Sequence, residues 1–341
     1  MKTAVKHKIL IALALCALLS GSAALYLHRA LFQPMPGTAA PVVIEVSPGS
    51  SLSRVGTTLQ QRKLLAAPRL LNLLARYRGV SGQIKPGEYE ITPGLSAAQL
   101  LDKMVAGDNV QYRVTLVEGW TFSQALQHIW EGVKIVKTLE RYDPELISAL
   151  LQLDVSDPEG MLFPDTYFYT AGTTDVDLLR RAHGQLESVL LAEWDNRLGA
   201  LPYDNHYDAL ILASIVEKES AQASERGHIA GVFIRRLEQG MRLQSDPTVI
   251  YGMGADFNGN LTRANLQAET PYNTYRNAGL PPTPIALAGL DSIKASLNPI
   301  ASDYLYFVAT GDGGHYFSSS LEEHNAAVSR YQLLQTEQES L

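Results

Sequence analysis

Residues Ile44–Val55 (IEVSPGSSLSRV) combine an alternating apolar and polar run with a Pro-Gly pair and a following helical pattern. This order predicts a strand, a tight turn at Gly49 and a helix that has Ser51 as its N-cap. The pattern recurs at Tyr89–Leu100 (YEITPGLSAAQL), with Gly94 and Ser96, and at Val114–Ala125 (VTLVEGWTFSQA), with Gly119 and Thr121. Three strand–turn–helix units predict the α+β class, although such turns are alike in many folds.

The composition limits the kind of protein. The chain has 341 residues, of which 46% are hydrophobic and 18% are charged, which is typical of folded domains and allows about two of them. The formal charge of -7 argues against a nucleic-acid partner, because nucleic-acid binders present a basic face. The single cysteine, Cys16, excludes an internal disulfide and a cysteine-based zinc site.

The N-terminal region contains an uncharged run, Ile9–Leu27, of about the length that crosses a bilayer as a helix. Three lysines precede the run (Lys2, Lys6 and Lys8). By the positive-inside rule, residues 1–8 form a cytoplasmic tail, residues 9–27 a transmembrane helix, and everything after residue 30 is exported. The alternative is a cleaved signal peptide with Ser22 and Ala24 before the cut.

The exported part divides into three predicted segments. Residues 28–41, which include QPMPGTAAP, are typical of a flexible tether. Residues 42–112 are expected to form a small α+β module, and residues 113–341 a larger α+β domain. Within the larger domain, Gly160–Tyr169 (GMLFPDTYFY) joins aromatic rings to one acid, Asp165. This segment suits either sugar binding or an aromatic core with a turn.

The chemistry is expected at Tyr207–Ser220 (YDALILASIVEKES), a helix pattern without Gly or Pro. Four apolar residues cluster on one face of this helix: Ile211, Leu212, Ile215 and Val216. Glu219 falls on the same face, where desolvation raises the pKa of a carboxyl toward that of a general acid. Glu217 points to the opposite side and should be more ordinary. The alternative is a helix that ends near Lys218 and leaves Glu219 in solvent.

The segments after this helix are rich in amides, hydroxyls and rings but poor in charge. Ile229–Leu237 is a second amphipathic helix that Gly240 ends. Ser245 or Asp246 can then cap a helix that has Pro247 in its first turn. A lining of this kind suits a carbohydrate groove better than a phosphate site.

Several segments together resemble the YceG family in their order and spacing. They are Ile215–Ser220 (IVEKES), Arg242–Gly252 (RLQSDPTVIYG), Tyr272–Tyr275 (YNTY), Gly279–Pro282 (GLPP), Tyr304–Val308 (YLYFV) and Glu323–Asn325 (EHN). The resemblance implies an inner-membrane enzyme, with its bulk in the periplasm, in which residues 42–112 are a LysM-like module and residues 113–341 the catalytic domain. Such an enzyme cuts peptidoglycan glycan strands internally and leaves a 1,6-anhydro-N-acetylmuramyl end. The resemblance also implies penicillin-binding proteins as partners.

The family's catalytic glutamate falls on Glu219. One carboxyl can suffice, because the muramyl C6 hydroxyl, rather than water, attacks the anomeric carbon. The expected substrate-binding residues are Glu217, Ser220, Asp165, Gln244, Ser245, Asp246, Tyr272, Asn273 and Tyr275. For the groove residues among them, the alternative is a turn or capping role.

Two other functions fit the same residues. One is a non-catalytic peptidoglycan-binding scaffold that recruits wall synthases. The other is a hydrolase with Asp165 or Asp246 as its second carboxylate. We expect no metal and no cofactor, because the sequence has no His-Glu-x-x-His, nucleophile elbow or phosphate loop.

Overall fold

The structure is a computed structural model that describes residues 2–37 and 39–333. Met1, Thr38 and residues 334–341 lie outside the described residues, and so do the parts of the predicted tail, tether and larger domain that fall on them. The chain forms two compact units. Unit 1 comprises Met1–Tyr112 with Tyr169–Gly172, and unit 2 comprises Arg113–Phe168 with Thr173–Leu341.

Unit 1 is built on a two-stranded antiparallel sheet. Its elements are α1 (Lys2–Phe32), β1 (Val42–Val46), α2 (Leu52–Gln61), α3 (Pro68–Tyr77), β2 (Gly87–Ile91) and α4 (Ala97–Ala106). Ile44 of β1 lies opposite Tyr89 of β2, and both side chains are buried. They join a core with Leu59, Leu71 and Leu100, one from each of the three short helices.

The first helix, α1, extends beyond the predicted transmembrane run. Within its Lys6–Phe32 portion, the most apolar 18-residue stretch has a mean hydropathy of 2.2. The helix is long and apolar enough to cross a membrane, a property that anchors and signal sequences share. The predicted tether at residues 28–41 is wrong at its start, since the helix continues to Phe32. Met35 is then buried in the unit 1 core, and its N–H donates to the Leu95 carbonyl at 2.9 Å.

The three predicted strand–turn–helix units are confirmed. The turn glycines Gly49, Gly94 and Gly119 have φ values of 74°, 92° and 76°. This left-handed backbone region suits glycine because it has no Cβ. The predicted N-caps Ser51, Ser96 and Thr121 each accept a hydrogen bond from the N–H three residues ahead. The local turn chemistry therefore fixes where α2, α4 and α5 (Phe122–Trp130) begin.

Helices dominate the rest of the chain. Its elements are β3 (Tyr112–Thr115), α5, α6 (Pro144–Leu151), β4 (Thr166–Tyr169), α7 (Asp175–Asp195), α8 (His206–Glu219), α9 (Ala223–Glu238), α10 (Asp246–Met253), α11 (Arg263–Gln267), α12 (Leu290–Leu297), β5 (Tyr306–Ala309), β6 (His315–Ser318) and α13 (Leu321–Val328). β3 pairs with β4, and β5 pairs with β6 in an antiparallel hairpin. The predicted α+β class is confirmed.

Helix α8 is the central helix of unit 2. It packs against α9 and α12, and every residue from 209 to 216 is buried. The predicted apolar face is buried, but Leu210 and Ala213 on other faces are buried as well. Burial on one face alone therefore does not distinguish the two glutamates at the end of this helix.

Candidate active site

Glu219 is the last residue of α8, and the chain leaves the helix at Ser220. The Ser245 hydroxyl donates a hydrogen bond to Glu219 Oε1. Ser245 occupies the N-cap position of α10, yet its hydroxyl makes no bond to the helix backbone. Its own N–H donates to the Thr274 hydroxyl at 3.0 Å. The ends of two helices thus hold the carboxyl in place.

Glu219 lines a cavity of about 490 Å³ within unit 2. Polar and aromatic side chains dominate its lining. They include Arg236, Gln244, Asp246, Tyr275, Tyr306, Phe307, His315, His324 and Asn325. The cavity therefore gathers residues from α8, α9, α10, the β5–β6 hairpin and α13 around one carboxyl.

Desolvation by burial raises the pKa of Glu219 to about 7. The charge of Asp246 raises the pKa further, whereas the Ser245 hydroxyl and the Arg236 guanidinium lower it. A carboxyl with such a pKa is substantially protonated near neutral pH and can donate a proton to a leaving group. The pKa shift predicted for Glu219 from the sequence is present in the structure.

Arg236 fixes the backbone around the cavity. Its Nε donates to the Leu305 carbonyl and its Nη1 to the Leu243 carbonyl, both at 2.7 Å. The guanidinium is buried, so these carbonyls supply the acceptors that water would otherwise provide. Arg236 thereby connects the segment before Ser245 to the start of the hairpin.

Glu217 has a different environment, as predicted, but it is not an ordinary solvent-facing acid. Its side chain is only 4% exposed and forms a 2.7 Å ion pair with Arg226. Its second oxygen accepts hydrogen bonds from the Gly289 N–H at 3.0 Å and from the Ser292 hydroxyl at 2.7 Å. The expectation of an ordinary Glu217 is wrong, because α8 is buried on all sides. These contacts connect α8 to α9 and α12.

Three predicted groove residues line the Glu219 cavity: Gln244, Asp246 and Tyr275. The Tyr275 hydroxyl donates to Asp246 Oδ1 at 2.6 Å. Gln244 has a φ of 53°, which is uncommon for a residue with a side chain. Its N–H donates to the Thr274 carbonyl at 3.2 Å, which holds this conformation beside Ser245.

Two predicted residues have backbone partners instead. Ser220 is buried, and its hydroxyl accepts the Gln222 N–H at 3.1 Å in the turn between α8 and α9. The buried Asn273 amide donates to carbonyls at the C-terminal end of α11, those of Asn265, Leu266 and Ala268. For Asn273 this is the turn or capping role that the sequence left open as the alternative.

The remaining two predicted residues lie away from the Glu219 cavity. Asp165 is exposed, and its carboxylate accepts the Thr166 N–H at 2.6 Å. Tyr272 lines a separate cavity of about 930 Å³. That cavity contains Glu159, which is 3% exposed and whose pKa burial raises to about 7. Sequence reasoning missed Glu159, because nothing in its local pattern indicates burial.

Sequence reasoning also missed the histidines of the Glu219 cavity. His324 and Asn325 belong to a motif that carries the family resemblance, but no role followed from it. The sequence assigns no role in the site to His315 either. In the structure its ring Nδ1 lies 2.7 Å from Glu225 Oε2, and its backbone N–H donates to Glu225 Oε1 at 2.9 Å. The signal was a histidine directly after a Gly-rich turn, which gains meaning only once the fold is known.

Fold and site together define an α+β protein with a desolvated carboxyl, Glu219, at the wall of a polar and aromatic cavity. Residues 44–330 match the YceG-like family, and the chain belongs to it. It is 29% identical to the endolytic murein transglycosylase of Bacillus subtilis, over 92% of this chain and 91% of that protein.

Two further comparisons agree with this assignment. The endolytic murein transglycosylase of Streptococcus pneumoniae is 30% identical over 85% of this chain, which spans 58% of that longer protein. The 2.6 Å crystal structure of a yceG-like protein from Listeria monocytogenes has a TM-score of 0.54 and 31% identity. That similarity covers 84% of this chain and 98% of the Listeria protein.

Proposed function

We propose that this protein is an endolytic lytic transglycosylase of peptidoglycan that acts in cell-wall synthesis. It cleaves the bond between N-acetylmuramic acid and N-acetylglucosamine within glycan strands and leaves a 1,6-anhydro-muramyl end. The observation that carries the proposal is Glu219, a cavity-lining carboxyl whose pKa is raised to about 7. The names of the curated relatives support the same activity.

Glu219 acts first as an acid and then as a base. Its proton passes to the glycosidic oxygen as the bond between that oxygen and the muramyl C1 breaks. The muramyl C6 oxygen then bonds to C1, and the proton of the C6 hydroxyl passes to the Glu219 carboxylate. The acid is regenerated and no water is consumed, so the reaction needs no second carboxylate of the kind glycoside hydrolases use.

The neighbouring residues position this acid and the strand. Ser245 orients the carboxyl through its hydroxyl. Gln244, Asp246 and Tyr275 contact the sugar, since they line the same cavity. The contacts of Glu217, Ser220 and Asn273 support structural roles for these three residues.

The location follows from the substrate. Helix α1 anchors the protein in the inner membrane with its N-terminus in the cytoplasm, and unit 2 lies in the periplasm. The apolar Lys6–Phe32 helix and the lysines near the N-terminus support this orientation. Penicillin-binding proteins, as synthases of the same strands, are its partners.

Product analysis tests the proposal. The full-length protein in detergent and its Glu219→Gln variant are incubated with peptidoglycan, and the muropeptides are identified by mass spectrometry. Anhydro-muramyl ends from the wild type alone would support the proposal. Cleavage by both proteins would exclude Glu219 as the acid.

One observation favours a second candidate function. Asp246 lines the same cavity as Glu219, so a second carboxylate is available to a hydrolase. Reducing ends in the same digest would establish that hydrolase instead. No cleavage by a folded wild type would favour the scaffold.

A further inference from the structure

His315 lines the Glu219 cavity from the first position of β6. Its ring packs edge-to-face against Phe307 of the neighbouring strand, with the ring centroids 5.4 Å apart. The side chain is 13% exposed, and that of its partner Glu225 is 16% exposed. The imidazole is thus held at the cavity wall by a ring and a carboxylate.

Glu225 determines which ring nitrogen of His315 carries the proton. An ionised carboxylate only accepts hydrogen bonds, so the close Nδ1 must be the N–H donor to Glu225 Oε2. In the neutral ring the other nitrogen, Nε2, is then an acceptor. The same use of a carboxylate to orient an imidazole recurs in hydrolytic triads and at metal sites.

The carboxylate itself is held by α9, the helix that follows the turn after Glu219. Glu225 lies in the first turn of α9, where the helix dipole favours a negative charge. The turn from α8 to α9 is closed by the bond between Ser220 and the Gln222 N–H. Glu219 and Glu225 therefore flank one short, hydrogen-bonded turn, and Glu219 and His315 line one cavity.

We propose that His315 is a substrate-binding residue whose Nε2 accepts a hydrogen bond from a hydroxyl group of the amino sugar bound at Glu219. Glu225 is its positioning residue. This inference rests on the proposed function, because it assumes a saccharide in this cavity. It gives a role to a histidine that the acid–base chemistry of Glu219 does not require.

A purely structural role makes a different prediction. The Glu225–His315 pair also connects the β5–β6 hairpin to α9, so its loss could act through the hairpin position alone. Gln222 offers a matched control, because its side chain makes a parallel connection. Its Nε2 donates to the Gly313 carbonyl at 2.7 Å, two residues before His315. Gln222→Ala weakens the hairpin connection and leaves the imidazole in place.

The test measures binding separately from cleavage. The full-length Glu219→Gln variant binds soluble, uncross-linked glycan strands without cutting them, and the dissociation constant is measured with and without His315→Asn. The asparagine amide can still donate to Glu225, but it lacks the Nε2 acceptor. We expect a dissociation constant about tenfold higher, the effect of losing one hydrogen bond of about 1.4 kcal/mol. Gln222→Ala in the same background should change it less than about twofold.

The kinetic arm uses proteins with Glu219 intact. His315→Asn should lower kcat/KM by about tenfold while the thermal midpoint stays close to that of the wild type. Glu225→Gln added to His315→Asn should cause no further loss, because a positioning residue acts through the ring that is already absent.

The outcomes separate the two proposals. If the wild type forms no cleavage products and the Glu219→Gln variant binds no strands, the proposed function fails. If Glu219→Gln binds strands equally well with and without His315→Asn, only the role of His315 is overturned. An equal loss in Gln222→Ala and His315→Asn would also overturn it, in favour of a structural connection.

Discussion

Glu217 and Glu219 stand two residues apart at the end of α8, and both are largely removed from water, yet their surroundings differ. Glu217 pairs with Arg226 and accepts two further hydrogen bonds, from Gly289 and Ser292. Glu219 accepts a bond from Ser245 and borders a cavity. Both residues are removed from water, but only Glu217 is surrounded by several hydrogen-bond donors and a paired positive charge.

The comparison shows what makes a buried acid available for proton transfer. A carboxylate that is matched by a guanidinium and by N–H and O–H donors stays ionised and serves packing. A carboxyl that loses hydration without full replacement holds its proton to a higher pH, and the pKa of Glu219 is accordingly about 7. We therefore assign chemistry to Glu219 and a structural role to Glu217.

The largest effect is expected from Glu219→Gln. Because general acid catalysis contributes about 10²–10⁴-fold, strand cleavage should fall by that factor while the fold persists. Stability should rise rather than fall. The pKa of Glu219 is about 7 in the folded protein and near its ordinary value of 4.5 when unfolded, so the folded state binds protons more tightly. Wild-type stability then decreases as the pH rises from about 4.5 to 7.

Glutamine does not ionise and lacks this penalty. The variant should exceed the wild type in unfolding free energy by about 1–3 kcal/mol at pH 8, and the difference should vanish near pH 4. Denaturant unfolding of both proteins across this pH range measures it. A gain that is the same at pH 4 and pH 8 would contradict the raised pKa.

The next largest effect should come from Glu217→Gln, which should reduce stability strongly and activity little. Removing the buried partner of an ion pair leaves Arg226 with only the more distant and more exposed Glu118 carboxylate, which costs about 3–5 kcal/mol. The unfolding free energy should fall by that amount, and the activity of the protein that remains folded should change little. Denaturant unfolding measures the loss of stability, and the cleavage rate per folded molecule measures the activity.

Glu118 provides the matched control for this change. Its carboxylate lies 3.6 Å from the same Arg226 guanidinium, but its side chain is 48% exposed. Glu118→Gln should therefore cost only about 0–1 kcal/mol. Equal losses from Glu118→Gln and Glu217→Gln would show that burial of the pair is not what matters.

Ser245→Ala is expected to alter the pH profile more than the stability. The Ser245 hydroxyl lowers the pKa of Glu219, so its removal should raise that pKa above about 7. The alkaline limb of kcat/KM, where the acid loses its proton, should move to higher pH. Ser292→Ala removes the corresponding hydroxyl from Glu217 and should reduce stability without moving the limb. A shift in both variants would contradict the division between the two acids.

The turns and helix caps of the fold were predictable because their causes are local. Ser51, Ser96 and Thr121 cap helices through bonds to residues three positions ahead, and the turn glycines require no distant partner. Glu219 was identifiable from its helix and from the family resemblance. The caps and turns are encoded within one continuous stretch of sequence, whereas the family resemblance adds the order and spacing of several segments.

The rest of the site depends on contacts between distant segments. Ser245 or Asp246 was expected to cap α10. Ser245 does occupy the N-cap position, but its hydroxyl donates to Glu219, 26 residues earlier in the chain. Glu217 is buried because Arg226 and α12 cover it. Met35, which was predicted to lie in a tether, is buried in the core of unit 1. Periodicity around one helix cannot reveal that neighbours cover all of its faces.

The smallest effect is expected from Asp246→Asn, and this variant also distinguishes the single-carboxyl reaction from a hydrolase. The charge of Asp246 raises the pKa of Glu219, so its loss should lower that pKa and move the alkaline limb of kcat/KM to lower pH. The direction is opposite to that of Ser245→Ala. The asparagine carbonyl can still accept the hydrogen bond that the Tyr275 hydroxyl donates to Asp246.

The plateau of the same profile tests the mechanism. In a single-carboxyl reaction Asp246 contacts the sugar but forms no covalent bond to it and moves no proton. The plateau rate should therefore stay within about threefold of the wild type, the cost of one modest polar contact. A hydrolase that uses Asp246 as its second carboxylate would lose most of its activity at every pH. Such a loss would mean that catalysis requires Asp246 as well as Glu219. The contrast between Glu219 and Glu217 would then account for only one of two catalytic carboxylates.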